Sequence, residues 1–232
     1  MKDFTLTTYR ELIHALFSNG YSFQTLQDFF QHPKDKTLIL RHDVDRKPEN
    51  ALEMAQLEKG MNISASYFFR TKSEVFDEQI INQIVKIGHE IGYHYENLSD
   101  VAKKEKLISK EKLYELAIDD FQGNLEKLRK FYPVKTICMH GSPLSKWDNR
   151  DLWEKYDYRD YGIIGEPYFD NDFNEVLYLT DTGRHWNTSR GNIRDKVQSK
   201  YNYNFRSTFD IIESLENDKL PHRIMLNIHP QR

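Results

Sequence analysis

The sequence predicts an α/β protein built from repeated βα units around a mainly parallel sheet, and three observations carry this. Short β-type runs alternate with longer helical stretches from residue 37 to the C-terminus, the pattern of strands joined by crossover helices. A length of 232 residues suits one α/β barrel domain. Unusual polar residues fall at four predicted strand ends, and that rim is where βα barrels gather catalytic groups.

Residues 1–36 read as an N-terminal helical cap ahead of a barrel domain spanning 37–232. The cap's helices, 8–18 and 24–31, are separated by Asn19-Gly20 and closed by Pro33. Seven strands are expected at 37–42, 64–69, 90–95, 135–140, 161–165, 176–180 and 223–229, with helices at 48–59, 77–87, 110–131, 150–156 and 208–217. Pro48 suits a first helical turn, where its missing N–H has no partner to lose, and Gly60 stops the same helix. Residues 181–204 lack periodicity and read as a long active-site loop.

Composition narrows the function. Hydrophobic residues at 38%, with 13% aromatics, supply a core, and 30% charged residues a solvated surface. With 33 basic against 36 acidic residues and no basic run, nucleic acid is excluded as a partner. No apolar run approaches the roughly 20 residues of a membrane span. The start Met1-Lys2-Asp3-Phe4 lacks the basic, then apolar, pattern of a signal peptide, and the single Cys138 has no internal disulfide partner. Both features read as a cytoplasmic chain, with Cys138 an inert strand residue. Nothing identifies a protein partner.

The four strand ends are Arg41-His42-Asp43-Val44-Asp45, Gly92-Tyr93-His94-Tyr95-Glu96, Met139-His140-Gly141-Ser142-Pro143 and Leu226-Asn227-Ile228-His229-Pro230. Asp43 and Asp45 are two apart, so an extended backbone points them the same way. A divalent ion relieves their repulsion, one carboxylate binding it while the other accepts a proton from its water. The bland alternative is that one of them caps the helix starting near Pro48. His94 and Glu96 repeat the spacing and are sensible ligands for zinc or a similar ion. His89 falls on the opposite strand face from His94, and His42 alternates away from Asp43, so neither counts as a ligand. His140 and His229 end two further strands, and either can protonate a leaving amine near neutral pH.

These residues resemble the polysaccharide deacetylases of carbohydrate esterase family 4, over most of residues 37–230. The resemblance implies a distorted (β/α)7 barrel that removes acetyl groups from N-acetylated sugars with a bound metal, here expected to be zinc. It would make Asp43 the base and Asp45 a metal ligand. Gly88-His89-Glu90-Ile91-Gly92-Tyr93-His94 is similar to the second family motif and puts the first metal histidine on His94. The position four residues later, where the family's second histidine falls, is Leu98, leaving Glu96 or another rim residue as third ligand. Where the third motif carries an arginine that holds the catalytic Asp, this chain offers His140, followed by Ser142. The stretch from Tyr178 to Trp186 resembles the fourth motif, implying that Asp181 tunes the catalytic histidine and Trp186 lines the substrate pocket. Leu226-Asn227-Ile228-His229 resembles the fifth, which ranks His229 above His140 as general acid. Ser142 and Trp186 are the expected substrate contacts and a carbohydrate the expected partner. The motif combination resembles a subgroup found among bacterial surface-polysaccharide biosynthesis proteins.

Two other readings stand beside deacetylation. One is a carbohydrate-binding barrel that has lost its metal through Leu98. The other is a metal-dependent hydrolase of another C–N or ester bond; a two-carboxylate glycosidase fits an Asp-x-Asp pair among histidines less well.

Overall fold

Every strand pairing is parallel, as the βα alternation predicts. The computed structural model describes residues 2–105, 108–186, 194 and 196–232. In chain order the elements are α1 (Leu6–Ser18), β1 (Ser22–Gln24), α2 (Leu26–Gln31), β2 (Thr37–Val44), α3 (Pro48–Gly60), β3 (Ser66–Phe69), α4 (Glu78–Lys86), β4 (Glu90–Tyr95) and α5 (Asn97–Lys104). They continue with α6 (Lys110–Arg129), β5 (Ile137–Met139), α7 (Pro167–Asp170), β6 (Leu177–Thr180), α8 (Thr208–Glu216) and β7 (Arg223–Ile228). The strands run β5-β4-β3-β2-β7-β6 in a curled sheet, the distorted barrel expected. One edge of β2 is taken by β7 over residues 37–42, while β1 and β3 pair with it at residues 37–39 and 41–44.

Three expectations are corrected. The N-terminal segment is not wholly helical: residues 22–24 form β1, and α2 starts only at Leu26, where the Thr25 hydroxyl accepts from Asp28 N–H as a cap. The strand expected at 161–165 does not form. Residues 158–161 make a 3₁₀ turn, and only Gly165 pairs, in a single bridge to Thr136. The helix expected at 150–156 is likewise a 3₁₀ segment, Asn149–Glu154. Among the described residues β5 and β6 do not pair, and Glu166 fills their seam: its carboxylate accepts from Met139 N–H (3.1 Å) and Tyr168 N–H (2.6 Å). Burial pushes this carboxyl up to about 7. The loop expected at 181–204 has no helix or strand among its described residues; residues 187–193 and 195 lie outside them.

Period-two alternation divides the sheet into two faces. Leu38, Leu40 and Val44 pack toward the helices with Tyr67, Phe69 and Ile91. Ile39 joins Phe68, Cys138, Tyr178 and Met225 in a second cluster inside the curl. Above Ile39 on that inner face stand Arg41 and then Asp43, so the interior turns from apolar to ionic toward the C-terminal rim.

On the outer face a buried carboxylate ties four elements together. Glu58, in the last turn of α3, accepts from Tyr9 of α1 (2.5 Å), Tyr67 of β3 (2.7 Å) and His42 Nε2 of β2 (2.7 Å). Burial alone would raise its pKa, but His42, His89 and these hydrogen bonds hold it below the ordinary value. His89 bonds Ala65 N–H and the Ala55 carbonyl, so both imidazoles excluded as ligands above are used in this scaffold.

Gly92 is required where β4 passes the Phe68 ring, which a Cβ at this position would overlap. Gly92→Ala should cost about 1–3 kcal/mol by overpacking, measured by urea denaturation, and Phe68→Leu in the same chain should restore part of the loss.

Candidate active site

Three imidazoles converge on Asp45, and each arrives with its tautomer fixed from behind. His94 Nδ1 meets the Cys138 carbonyl (3.0 Å), which only accepts, so Nδ1 carries the proton and Nε2 points forward. His140 Nδ1 faces Glu96 Oε2 (3.1 Å) and His229 Nδ1 faces Asp181 Oδ1 (2.6 Å), with the same result. The three Nε2 atoms then lie 3.4 Å (His94) and 3.7 Å (His140) from Asp45 Oδ1, and 3.8 Å (His229) from Asp45 Oδ2. Asp45 Oδ1 is sealed from solvent without a hydrogen-bond partner, while Oδ2 accepts from Gln231 (3.2 Å). Neither aspartate caps the following helix, since α3 has no side-chain cap.

Asp43 is held differently. Arg41, wholly buried two residues earlier on the same face, grips it through Nε (2.9 Å) and Nη2 (2.6 Å). Asn227 Nδ2 donates to its Oδ2 (3.0 Å), and His94 Nε2 stands 3.8 Å away. Burial would raise the Asp43 pKa, but Arg41, His94 and His229 outweigh it and hold the carboxyl at about 2. Asp45 lies well below its ordinary range, because the surrounding imidazoles overcome its burial. For the same reason His94 is raised above its usual value by Asp43 and Asp45.

Glu96 is gripped by Arg70 through both oxygens (2.7 and 2.9 Å) and also meets His140, which places it behind that histidine. Its carboxyl is held at about 2: burial opposes the shift, and His140 and Arg70 prevail. Leu98 is fully buried in the helical core, on α5. Ser142, at positive φ (40°), bonds His140 Nδ1 (3.1 Å) and accepts from Asn149 (3.1 Å). Asp181 takes the His229 backbone N–H (3.0 Å) as well as its ring. Trp186 is buried with its Nε1–H on Thr208 (3.0 Å), lining a cavity beside His229 and not the Asp45 pit.

Among the described residues one compact donor set and one wider set stand at the rim. Asp43, His94 and Cys138 have ligand atoms within 4.8 Å of one another, but both Asp43 oxygens already answer to Arg41. Asp45, His94 and His140 form a wider set: the unpartnered Oδ1 lies 3.4 and 3.7 Å from two imidazole nitrogens whose back sides are anchored, as metal-binding histidines usually are.

Sequence reasoning singled out the ligating types but missed Arg41, Asn227, Arg70 and Gln231. The signal was present for two of them: Arg41-x-Asp43 and Asn227-x-His229 carry the same alternate spacing as Asp43-x-Asp45.

Among solved structures, the fold is similar to family 4 carbohydrate esterases. A CE4 family pseudoenzyme from Bacillus anthracis is 12% identical, over 86% of this chain and 56% of that one, with a TM-score of 0.46. A family 4 carbohydrate esterase from Bacillus anthracis is 15% identical, over 94% and 75% (TM-score 0.42), and a Streptococcus mutans CE4 esterase 11%, over 88% and 77% (TM-score 0.49). The chain therefore spans little more than half of the first of these. No family model and no curated protein matches the sequence. The structures found carry the name of the family the motifs resemble.

His229 is wholly buried, which would lower its pKa, yet Asp181, Asp43 and Asp45 raise it from 6.5 to about 9. The folded chain thus favours the imidazolium: the stabilisation is full below about pH 6.5 and lost as pH rises through about 9, on the order of 3 kcal/mol in all. Asp181→Asn should remove most of this slope, read from urea melts at the two ends of that window.

Proposed function

We propose that the protein is a metal-dependent hydrolase that removes the acetyl group from an N-acetylated sugar or polysaccharide precursor. The observation that carries this is the orphaned Asp45 Oδ1 faced by two back-anchored imidazoles. Asp45, His94 and His140 would hold the ion, and a donor set of one carboxylate and two imidazoles suits zinc. The chemistry such an ion would supply there is acidification of a water and polarisation of the acyl carbonyl.

The remaining chemistry belongs to the chain. Asp43 is ionised at every working pH and takes the water's proton, with Arg41 and Asn227 fixing its orientation. His229 is protonated at neutral pH and delivers a proton from Nε2 to the departing amine, while Asp181 holds the ring by Nδ1. Glu96 keeps His140 in the tautomer that frees Nε2. The motif resemblance supports the acetylated-sugar substrate and a role in surface-polysaccharide synthesis, and the single thiol Cys138 fits a cytoplasmic setting.

Leu98, a buried leucine where the family has a histidine, favours a second reading: a sugar-binding barrel without turnover. Metal content and acetate release separate the two. His94→Ala and His140→Ala should each strip the metal from the purified protein, and Glu96→Gln should weaken its binding about 10–100-fold. Asp43→Asn should retain the metal and lose acetate release from N-acetylated sugars. A wild-type protein without metal, or turnover indifferent to chelators, would overturn the hydrolase reading.

A further inference from the structure

We propose that the cavity between α1, α3, α8 and the end of β7 is a second binding site, for a short alkyl or aryl group carried on the amine-bearing half of the substrate. It encloses about 190 Å³ and is walled by Phe4, Leu6, Tyr9, Met54, Trp186 and Ile228. His229 and Asp181 also line it. The ends of β6 and β7 and the starts of α3 and α8 meet here, so the cavity opens on the same C-terminal rim as the Asp45 pit.

The chemistry of the lining selects the ligand. Its hydrogen-bonding groups are largely engaged within the protein: Tyr9 with Glu58 (2.5 Å), Trp186 with Thr208 (3.0 Å), Asn50 with the Pro230 carbonyl (3.0 Å) and Arg232 with the Asp181 carbonyl (3.1 Å). What remains on offer is mostly apolar surface, including Phe4 stacked on Trp186 at 5.8 Å, beside the exposed Glu53 carboxylate. Leu6, exposed at the mouth, extends that surface outward. An apolar cavity of about 150 Å³ takes a benzene ring, so this one has room for an aryl group or a chain of roughly six carbons.

The position selects which half of the substrate enters. His229 turns Nε2 toward Asp45 and its Nδ1 edge toward Asp181, so the pit and the cavity share this imidazole as their partition. An amine protonated by Nε2 lies beside the ring that also lines the cavity, so a substituent on that sugar is the part of the substrate nearest the apolar walls. This assignment of the half rests on His229 serving the amine, as proposed above.

Alkyl glycosides of N-acetylglucosamine, from methyl to octyl, test the site by titration calorimetry, with acetate release measured separately. Affinity should rise about fourfold per methylene and level off near six carbons. Met54→Trp, which fills the cavity from α3, should bring the hexyl-to-methyl affinity ratio close to one; Leu6→Trp at the mouth serves if that variant does not fold. A flat series in the wild-type protein, or an unchanged slope in the filled variants, would overturn the site. Chain-length-dependent binding without acetate release would retain the site and sink the hydrolase reading instead.

Discussion

The buried Arg41–Asp43 pair is the constraint around which the barrel interior is arranged. An ionised carboxylate inside a sheet costs several kcal/mol unless a charge and hydrogen bonds compensate it. Here both are supplied by one strand, since residues two apart share a face and the guanidinium reaches Asp43 with two parallel bonds. The remaining face of the guanidinium then needs company. Tyr168 accepts from Nη1 (3.3 Å) and meets Tyr178 (3.3 Å), and Tyr178 in turn accepts from Asn227 (3.2 Å). Two strands and the segment filling the β5–β6 seam are thereby committed to holding one carboxylate.

A second layer of logic sits above it. Each histidine at the rim donates backward from Nδ1 to a different acceptor: a backbone carbonyl for His94, a glutamate for His140, an aspartate for His229. His229 against an ionised Asp181 becomes strongly basic, as suits a group that must carry a proton. His140 shares Glu96 with Arg70, which holds that carboxylate through both oxygens. One rim can therefore hold three imidazoles in fixed orientations, because each has its own outer partner.

Much of this was legible in the sequence through a single rule, the alternation of side chains along a strand. It placed Asp43 with Asp45 and turned His42 and His89 away, where the structure sets them around Glu58. What the rule cannot supply is the neighbour across the sheet. Glu96 shares a strand face with His94, and only the ends of the adjacent strands reveal that Arg70 and His140 also meet it. Strand limits failed for a different reason. Residues 161–165 have strand-like composition, but Glu166 and Pro167 begin a helix immediately afterwards, and Glu166 provides the acceptor that a continuing strand would have offered Met139. β1 escaped notice because three residues are too few to show a period.

The leucine at position 98 and the histidine at 140 are best understood together through the register of β4 and β5. His94 is paired with Cys138 and Tyr95 with Met139, and the ladder continues as His140 N–H donates to the Tyr95 carbonyl (2.8 Å). His140 consequently stands diagonally above His94 on the same inner face, their rings edge-to-face at 5.3 Å. A helical residue four positions after His94 reaches the rim by one route; a strand residue two pairs up the neighbouring ladder reaches it by another. β5 ends in an imidazole anchored by Glu96, while Leu98 in the first turn of α5 closes the core. The cation for Asp43 comes from within β2, as Arg41, and the end of β5 is left to His140.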